Sequence, residues 1–204
     1  MDLFTTLPGL AVLPGFALDK EADLVRAVKA LAQAAPFRRM KTPGGREMSA
    51  AMTNCGTAGW VSDAKGYRYA RQDPLSGQPW PEMPVLFYEL AAGAAAAGGF
   101  ADFQPDMALI NRYEPGAKMT LHQDLDEQDF SAPIVSVSLG LPAIFLWGGL
   151  SRADKPARLH LNSGDVLVWG GKARKFFHGI APVKAGVHEL TGAARLNLTF
   201  RRAL

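Results

Sequence analysis

Residues 195–201 read RLNLTFR, and polar and apolar side chains alternate strictly along this stretch. A period of two predicts a β-strand with Arg195, Asn197, Thr199 and Arg201 on one face. Two arginines and an amide on one face of an otherwise apolar strand are costly unless an anion lies against them. The arginine Cα atoms would lie about 20 Å apart, so side chains leaning inward could hold both ends of a short diacid. The alternative is a solvated outer face of an edge strand.

A candidate metal site lies upstream of this strand. His122 and Asp124 are two residues apart, which places both on one side of an extended segment, and His178 follows far along the chain. Two imidazoles and one carboxylate, with coordination positions left open, form the facial triad of non-haem Fe(II) oxygenases. As alternatives, His178 could be a core histidine, and Asp124 could belong to a solvated acid cluster with Asp126, Glu127 and Asp129.

Length and composition favour one globular domain in a reducing compartment. The chain has 204 residues, 48% of them hydrophobic, which is long enough to bury a substantial core. Cys55 is the only cysteine, so no intrachain disulfide can form. The first residues lack the basic start and apolar run of a signal peptide, and no apolar run is long enough to cross a membrane. We therefore expect a cytoplasmic protein. The histidines outside the triad, His160 and His188, are interpreted as structural.

The positive charge is concentrated in one segment. Residues 36–72 carry seven basic and two acidic residues, whereas the net charge of the whole chain is only +3. Trp60, Tyr67 and Tyr69 lie among these basic residues. Aromatic rings can stack on bases while the charges follow phosphates, which indicates a nucleic-acid surface. The alternative is a soluble basic loop with aromatics in the core.

The periodicity predicts two helices followed by many short strands. The helices are expected at 20–34, with Asp19 as N-cap, and at 84–97. Residues 37–72 are rich in glycine and are expected to be irregular apart from one candidate strand at 48–53. The other strands are expected at 108–113, 134–139, 143–147, 165–169 and 194–201. Short strands separated by glycine and proline turns predict an antiparallel barrel or a double-sheet jelly roll.

The chain also resembles a known family, the AlkB family of Fe(II)- and 2-oxoglutarate-dependent dioxygenases, and its bacterial DNA-repair branch most of all. The resemblance runs from about residue 40 to residue 202. It rests on motifs in one order: TPGG at 42–45, MTNCG at 52–56, GW at 59–60, NRYxPG at 111–116, HxDxDE at 122–127, SxSLG at 136–140, GDxxxWGG at 164–171, FxHG at 176–179 and RxNxTxR at 195–201.

This resemblance implies a mostly β (α+β) fold, a double-stranded β-helix or jelly roll with supporting N-terminal helices and a nucleotide-recognition lid. It divides the single domain into an N-terminal extension and helix (1–36), a lid (37–72), a linker and support helix (73–107) and a catalytic core (108–204). Fe(II) would be bound by His122, Asp124 and His178. The residues that would hold 2-oxoglutarate are Asn111, Tyr113, Arg195, Asn197 and Arg201. The implied substrate contacts are Thr42, Met52, Trp60, Tyr67, Arg68, Tyr69, Asp126 and Arg152.

The implied reaction uses O2 and 2-oxoglutarate to demethylate N-alkylated bases of the 1-methyladenine and 3-methylcytosine type in DNA, releasing formaldehyde, succinate and CO2. Trp60 would stack on the damaged base together with His122, and Asp126 would balance its charge. The DNA would be single-stranded or a duplex with a flipped base, and we expect a monomer with no membrane partner. Arg46 stands where close relatives are expected to carry an aromatic residue. The alternatives are the same chemistry on RNA or protein side chains, and a non-catalytic metal-binding β-barrel.

Overall fold

Two antiparallel sheets face each other in the computed structural model, which describes residues 9–204. Within these residues the strands are β1 Leu10–Leu13, β2 Ala51–Gly56, β3 Gly59–Asp63, β4 Gly66–Ala70, β5 Met107–Tyr113, β6 Met119–His122, β7 Ile134–Gly140, β8 Ala143–Trp147, β9 Ala157–Leu161, β10 Val166–Trp169, β11 His178–Ile180 and β12 Arg195–Arg201. The major sheet has the order β1-β10-β7-β12-β5-β2, and the minor sheet has the order β6-β11-β8-β9. This arrangement confirms the predicted jelly-roll class.

Strand β12 lies in the middle of the major sheet. It pairs with β5 on one side and with β7 on the other, and all seven of its residues are buried. Its apolar residues, Leu196, Leu198 and Phe200, pack into a core shared with the helices. The opposite face points toward the minor sheet. The solvated edge strand considered as the alternative is therefore wrong.

Two helices cover the outer face of the major sheet. Helix α1 spans Glu21–Ala34 and helix α2 spans Val85–Ala97, close to both predictions. The predicted N-cap is wrong: Asp19 belongs to a short 3-10 helix, and Lys20 precedes α1 without a side-chain cap. Phe87 of α2 meets Phe200 of β12 edge to face, with ring centroids 5.9 Å apart. The helices thus hold the apolar face of β12 in place.

The segment 37–72 is more regular than the sequence indicated. It holds β2, which pairs with β5 as an outer strand of the major sheet, and a hairpin of β3 and β4. The candidate strand at 48–53 is shifted, because β2 begins at Ala51. Asn54 ties the hairpin to β2, since its side chain accepts a hydrogen bond from Trp60 N at 3.0 Å and donates one to Trp60 O at 3.1 Å.

Three short strands of the minor sheet, β6, β9 and β11, were not predicted. Strands of three to five residues give too few positions for a period to show, and the second of the three residues of β11 is a glycine. Gly179 is needed there because an added Cβ would meet Met119 O at 2.6 Å. Over the described residues, no helix is long and apolar enough to cross a membrane.

Candidate active site

A cavity of about 620 Å³ opens between the two sheets and the β3–β4 hairpin. Its floor includes the polar face of β12, through Asn197, Thr199 and Arg201. Side chains from the minor sheet and from the loop after β6 form its other wall. A jelly roll places such a cavity between its sheets because the inward faces of the strands diverge at one end.

The structure brings the three predicted metal ligands together in this cavity. One ligand atom from each of His122, Asp124 and His178 lies within 4.8 Å of the others. His178 Nε2 is 3.4 Å from Asp124 Oδ2, and His122 Nε2 is 3.7 Å from Asp124 Oδ1. The register of the minor sheet explains the meeting, because His178 of β11 lies directly opposite His122 of β6. Asp124 therefore does not belong to a solvated acid cluster.

Backbone carbonyls orient both imidazoles. His122 Nδ1 lies 2.9 Å from Thr120 O, and His178 Nδ1 lies 3.0 Å from Phe176 O. A carbonyl can only accept, so each Nδ1 carries the proton and each Nε2 lone pair faces the cluster. This is the usual support for a metal-binding histidine.

The protonation states also suit a metal. Burial, with a contribution from neighbouring His178, lowers the pKa of His122 to about 4, so its imidazole is neutral near pH 7. Burial alone would raise the pKa of Asp124, but the Arg201 guanidinium and the neighbouring His178 and His122 together outweigh burial and hold that pKa well below the usual range. Neutral imidazole and ionised carboxylate are the forms that bind Fe(II).

The five residues predicted to hold the keto acid are cross-strand neighbours in the major sheet. Asn197 of β12 lies opposite Asn111 of β5, and Arg195 lies opposite Tyr113. Arg195 is 1% exposed, and Ser138 Oγ accepts from its Nε at 3.2 Å and from its Nη2 at 2.8 Å. The prediction that Arg195, Asn197 and Arg201 share one face of β12 is confirmed, and the strand register adds Asn111 and Tyr113 to that face, whereas the role of the five residues remains a prediction.

Three buried polar atoms of this group lack a hydrogen-bond partner within residues 9–204: Asn111 Oδ1, Arg195 Nη1 and Arg201 Nε. Leaving such groups unsatisfied costs about 1–3 kcal/mol each. A buried guanidinium with an unused N–H donor suits a small dianion, and the three converging ligand atoms of the triad suit a metal. These residues therefore suit Fe(II) and 2-oxoglutarate together.

Arg201, at the end of β12, lies between two carboxylates. Its Nη2 is 3.0 Å from Asp124 Oδ2, and its Nε is 3.1 Å from Glu127 Oε1. Glu127 also meets Arg174, whose Nη2 is 3.2 Å from Glu127 Oε2. Burial would lower the pKa of Arg201, but the two carboxylates raise it, so the guanidinium stays charged.

Most of the predicted substrate contacts line the cavity, but two do not. Those that line it are Thr42, Met52, Trp60, Tyr67, Asp126 and Arg152. Trp60 stacks on Tyr67 with ring centroids 5.6 Å apart, and Trp60 Nε1 donates to Asp126 Oδ2 at 2.7 Å. Arg152 Nη1 donates to Leu121 O at 2.6 Å. These contacts leave the Asp126 carboxylate at the cavity mouth beside the indole ring.

Arg68 and Tyr69 are not among the residues that line the cavity. The Arg68 guanidinium donates twice to Asp63 across the hairpin, at 2.9 and 2.8 Å, and with the neighbouring backbone it lowers the pKa of Asp63 to about 2. The Tyr69 hydroxyl donates to Glu127 Oε1 at 2.7 Å. Alternation explains the placement of Arg68, which lies between Tyr67 and Tyr69 on the opposite face of β4. Tyr69 shares the face of Tyr67 but is less exposed and is held by Glu127.

Several residues of the site were missed from the sequence. Glu127 stood inside a quoted motif and in the alternative acid cluster without an assigned role, yet it is 5% exposed. Ser138, which holds Arg195, stood inside a quoted motif without an assigned role. Trp169 packs against the triad, its ring centroid 5.0 Å from that of His178. The alternation of Ser136 and Ser138 opposite β12 was the one signal that could have assigned the serine.

The charges of the lid segment, residues 37–72, are partly neutralised within the fold. Arg38 pairs with Asp73, Arg39 with Glu114, and Arg68 with Asp63. Within residues 9–204 the structure records no ion pair for the remaining basic residues of the segment, which are Lys41, Arg46, Lys65 and Arg71. Arg46 lines the cavity mouth.

Comparisons with known proteins agree with this geometry. A family model described as the 2OG-Fe(II) oxygenase superfamily matches residues 9–201. The chain is 56% identical over 195 residues to the alpha-ketoglutarate-dependent dioxygenase AlkB of Escherichia coli K12, covering 96% of this chain and 90% of that protein. It is 46% identical over 202 residues to the AlkB homolog of Caulobacter vibrioides NA1000, covering 98% and 90%.

The fold is also similar to a solved structure. The structure of OsALKBH1 superposes with a TM-score of 0.84 at 32% sequence identity, covering 97% of this chain and 98% of the other. The similarity therefore extends over the helices, both sheets and the hairpin, as well as over the triad.

Proposed function

Because this chain belongs to the 2OG-Fe(II) oxygenase superfamily, and within it to the AlkB family of alpha-ketoglutarate-dependent dioxygenases, we propose that it demethylates N-alkylated bases in DNA by oxidation. In this proposal it acts as a monomer on a base extruded from the strand. The substrates are bases such as 1-methyladenine and 3-methylcytosine, and the outcome is direct reversal of the damage.

The overall reaction balances without a further reductant. Fe(II), when bound, supplies the O2 activation that couples decarboxylation of 2-oxoglutarate to hydroxylation of a C–H bond. One O2 gives one oxygen atom to succinate and one to the N-methyl carbon. The N-hydroxymethyl product then loses formaldehyde as its C–N bond breaks, and the base nitrogen keeps the electron pair.

The observation that carries the proposal is the position of the triad between two different sets of groups. On the β12 side lie buried cations and amides that suit a dicarboxylate. On the hairpin side lie an indole, a phenol ring and the exposed Asp126 carboxylate, which suit a flat cationic ring. A structural metal needs neither set, which argues against the non-catalytic barrel.

The roles of the chain's residues follow from this division. His122, Asp124 and His178 would hold Fe(II), while Arg195 and Arg201 would hold the keto acid. Their partners in holding it would be Asn111, Tyr113 and Asn197. Trp60 would stack on the extruded base, and Asp126 would face the positive charge that N-methylation gives to an adenine or cytosine ring.

The lid segment would bind the nucleic-acid backbone. Of its basic residues without a recorded ion pair, Arg46 lines the cavity, and all four are exposed and can approach phosphates. Extruding a base costs a few kcal/mol, least where methylation has already broken its pairing, so damaged bases would be selected partly before they reach the cavity.

Mass spectrometry of methylated oligonucleotides tests the proposal. DNA and RNA strands carrying 1-methyladenine or 3-methylcytosine are incubated with the enzyme, Fe(II), 2-oxoglutarate, ascorbate and air. We expect loss of the methyl group from DNA, with one succinate and one formaldehyde for each base repaired.

Matched incubations give the control. Omission of 2-oxoglutarate, or the substitution Asp124→Ala, should leave the oligonucleotide unchanged. Succinate without any change in the DNA would contradict the proposed substrate, and a faster reaction on RNA would reassign it to RNA.

A further inference from the structure

Glu127 is a buried carboxylate that the reaction described above does not use. Its side chain is 1% exposed, and it lies three residues after the metal ligand Asp124. Three side chains from different parts of the fold converge on it: Tyr69 of β4, Arg174 after β10 and Arg201 of β12. A buried carboxylate is tolerated only where such partners compensate its desolvation.

Arg201 is held at two edges of its guanidinium plane. Asp124 accepts a hydrogen bond from Nη2 at 3.0 Å, and Glu127 lies 3.1 Å from Nε as an ion pair without hydrogen-bond geometry. Since the guanidinium is a rigid fork, fixing two edges fixes the direction in which its remaining N–H groups point. Without Glu127, only Asp124 would orient the group.

Arg174 fixes Glu127 from the other side. Its Nη2 is 3.2 Å from Glu127 Oε2, while its Nε and Nη1 donate to Ala132 O and Asp124 O, both at 3.1 Å. The Arg174 side chain is 3% exposed, so it cannot swing away into solvent. Glu127 thus lies between a cation anchored to the backbone and the cation that faces the cavity.

Tyr69 adds the only hydrogen bond that the structure records to the Glu127 carboxylate within residues 9–204, at 2.7 Å. Burial raises the pKa of Tyr69, so the phenol remains a donor at neutral pH. Its hydroxyl points to Glu127, and its ring lies outside the set that lines the cavity. The hairpin that carries Trp60 therefore reaches the keto-acid side of the site through Tyr69.

We propose that Glu127 is a positioning residue for 2-oxoglutarate, holding the Arg201 guanidinium in its binding orientation, and that Tyr69 acts through Glu127 instead of contacting the base. This inference rests on the proposed function, in which Arg201 binds the keto acid. It assigns the two residues to binding of the cosubstrate and not of the nucleic acid.

A positioning role and a purely electrostatic role of Glu127 predict opposite changes in 2-oxoglutarate affinity. A carboxylate beside Arg201 repels a dianion, so charge alone predicts that Glu127→Gln tightens 2-oxoglutarate binding. Positioning predicts weaker binding, because the guanidinium is left to pair with Asp124 alone. Tyr69→Phe sharpens the difference, since it changes no charge and removes only the hydrogen bond that fixes Glu127.

The test measures 2-oxoglutarate affinity by calorimetry, with Mn(II) in place of Fe(II) so that no turnover occurs. We expect Kd to rise about tenfold in both variants, because Glu127→Gln loses the ion pair with Arg201 and Tyr69→Phe loses a hydrogen bond to a charged group. Glu89→Gln and Tyr88→Phe, both on α2, make the same chemical changes far from the site and should leave Kd unchanged. Affinity for a methylated oligonucleotide, measured by fluorescence anisotropy, should change less than about twofold in Tyr69→Phe.

Each result separates the inference from the proposed function. Unchanged or tighter 2-oxoglutarate binding in both variants overturns the positioning role while the demethylase proposal stands. A loss of oligonucleotide affinity in Tyr69→Phe with an unchanged Kd for 2-oxoglutarate returns Tyr69 to the base. If Glu127→Gln does not fold, Tyr69→Phe decides alone, with its thermal unfolding as the check. Failure of the unmodified protein to bind 2-oxoglutarate contradicts the proposed function itself.

Discussion

The two sides of the cavity are built in different ways. On the β12 side, every polar side chain stands on a central strand, is buried, and is paired across to β5 or β7. On the hairpin side, Trp60 and Tyr67 lie on a two-stranded ribbon outside the two main sheets, which Asn54 hydrogen-bonds to β2, and several cations face solvent without an ion pair within residues 9–204. A sheet interior fixes geometry, whereas a ribbon can adapt to a macromolecule. The chemistry is thus assigned to the rigid side and substrate recognition to the adaptable one.

The largest effect is expected at the metal triad, because the proposed reaction needs it on both sides of the cavity. His178→Ala removes a metal ligand that the sheet register holds opposite His122. Demethylation should fall to the level seen after chelation of the metal, and Fe(II) should no longer bind tightly. Metal content after dialysis and the rate of succinate formation check this. Retention of both would separate the triad from the reaction.

A loss confined to the rigid side is expected for Arg201→Ala. The substitution leaves Asp124 and Glu127 buried without their shared cation, which typically costs about 3–5 kcal/mol of stability. The 2-oxoglutarate concentration needed for half-maximal rate should rise by about 100-fold or more, because truncating one partner of a buried charge pair costs about 2–5 kcal/mol. Steady-state kinetics and thermal unfolding measure the two effects. An unchanged requirement for the keto acid would show that Arg201 does not hold it.

A loss confined to the adaptable side is expected for Trp60→Ala. Base stacking on an aromatic ring contributes about 1–3 kcal/mol, so affinity for a methylated oligonucleotide should fall by about 10-fold or more. The affinity for 2-oxoglutarate should not change, because within residues 9–204 the structure records no hydrogen bond or ring contact between Trp60 and β12. Arg201→Ala is the reciprocal control. Equal losses for both ligands would contradict the division into two sides.

A smaller effect is expected at the outer edge of the hairpin side. Arg46→Gln removes one exposed cation at the cavity mouth, and oligonucleotide affinity should become less sensitive to salt, by about one unit in the slope of log K against log salt. Lys20→Gln, before α1, is the matched control and should leave the slope as it is. Binding that does not weaken with salt at all would argue against docking through the lid segment.

The smallest effect is expected inside the major sheet, at Cys55 of β2. Burial raises its thiol pKa to about 12, so the thiol should resist alkylation in the folded protein and react only after global unfolding. Because this pKa lies above the ordinary thiol value of 9.0, the thiol of the unfolded chain ionises first, and the free energy of unfolding should decline as pH rises from 9 toward 12. Cys55→Ala should show a shallower decline. Fast labelling of native protein would show that β2 opens locally.

Some of this organisation was readable from short patterns and some was not. The alternation in 195–201 predicted the strand and its polar face, because seven consecutive residues sample the period of a strand more than three times. Asp19 looked like a helix cap because of its residue type, but the chain forms a 3-10 turn there and α1 begins two residues later. Arg68 and Tyr69 were expected to contact the substrate, whereas in the structure Arg68 pairs with Asp63 across the hairpin and Tyr69 donates to Glu127 in the loop after β6.

The sequence by itself determined which residue types are available: two histidines and an aspartate for a metal, two arginines on one strand face, and aromatics among basic residues. Only the tertiary structure decided which atoms meet. It placed His178 opposite His122 by pairing the three-residue strand β11 with β6, and it buried Glu127 between two arginines from distant segments. The reason is that patterns along a chain report which face a residue occupies, whereas the partner on that face is set by register and packing between segments far apart in sequence.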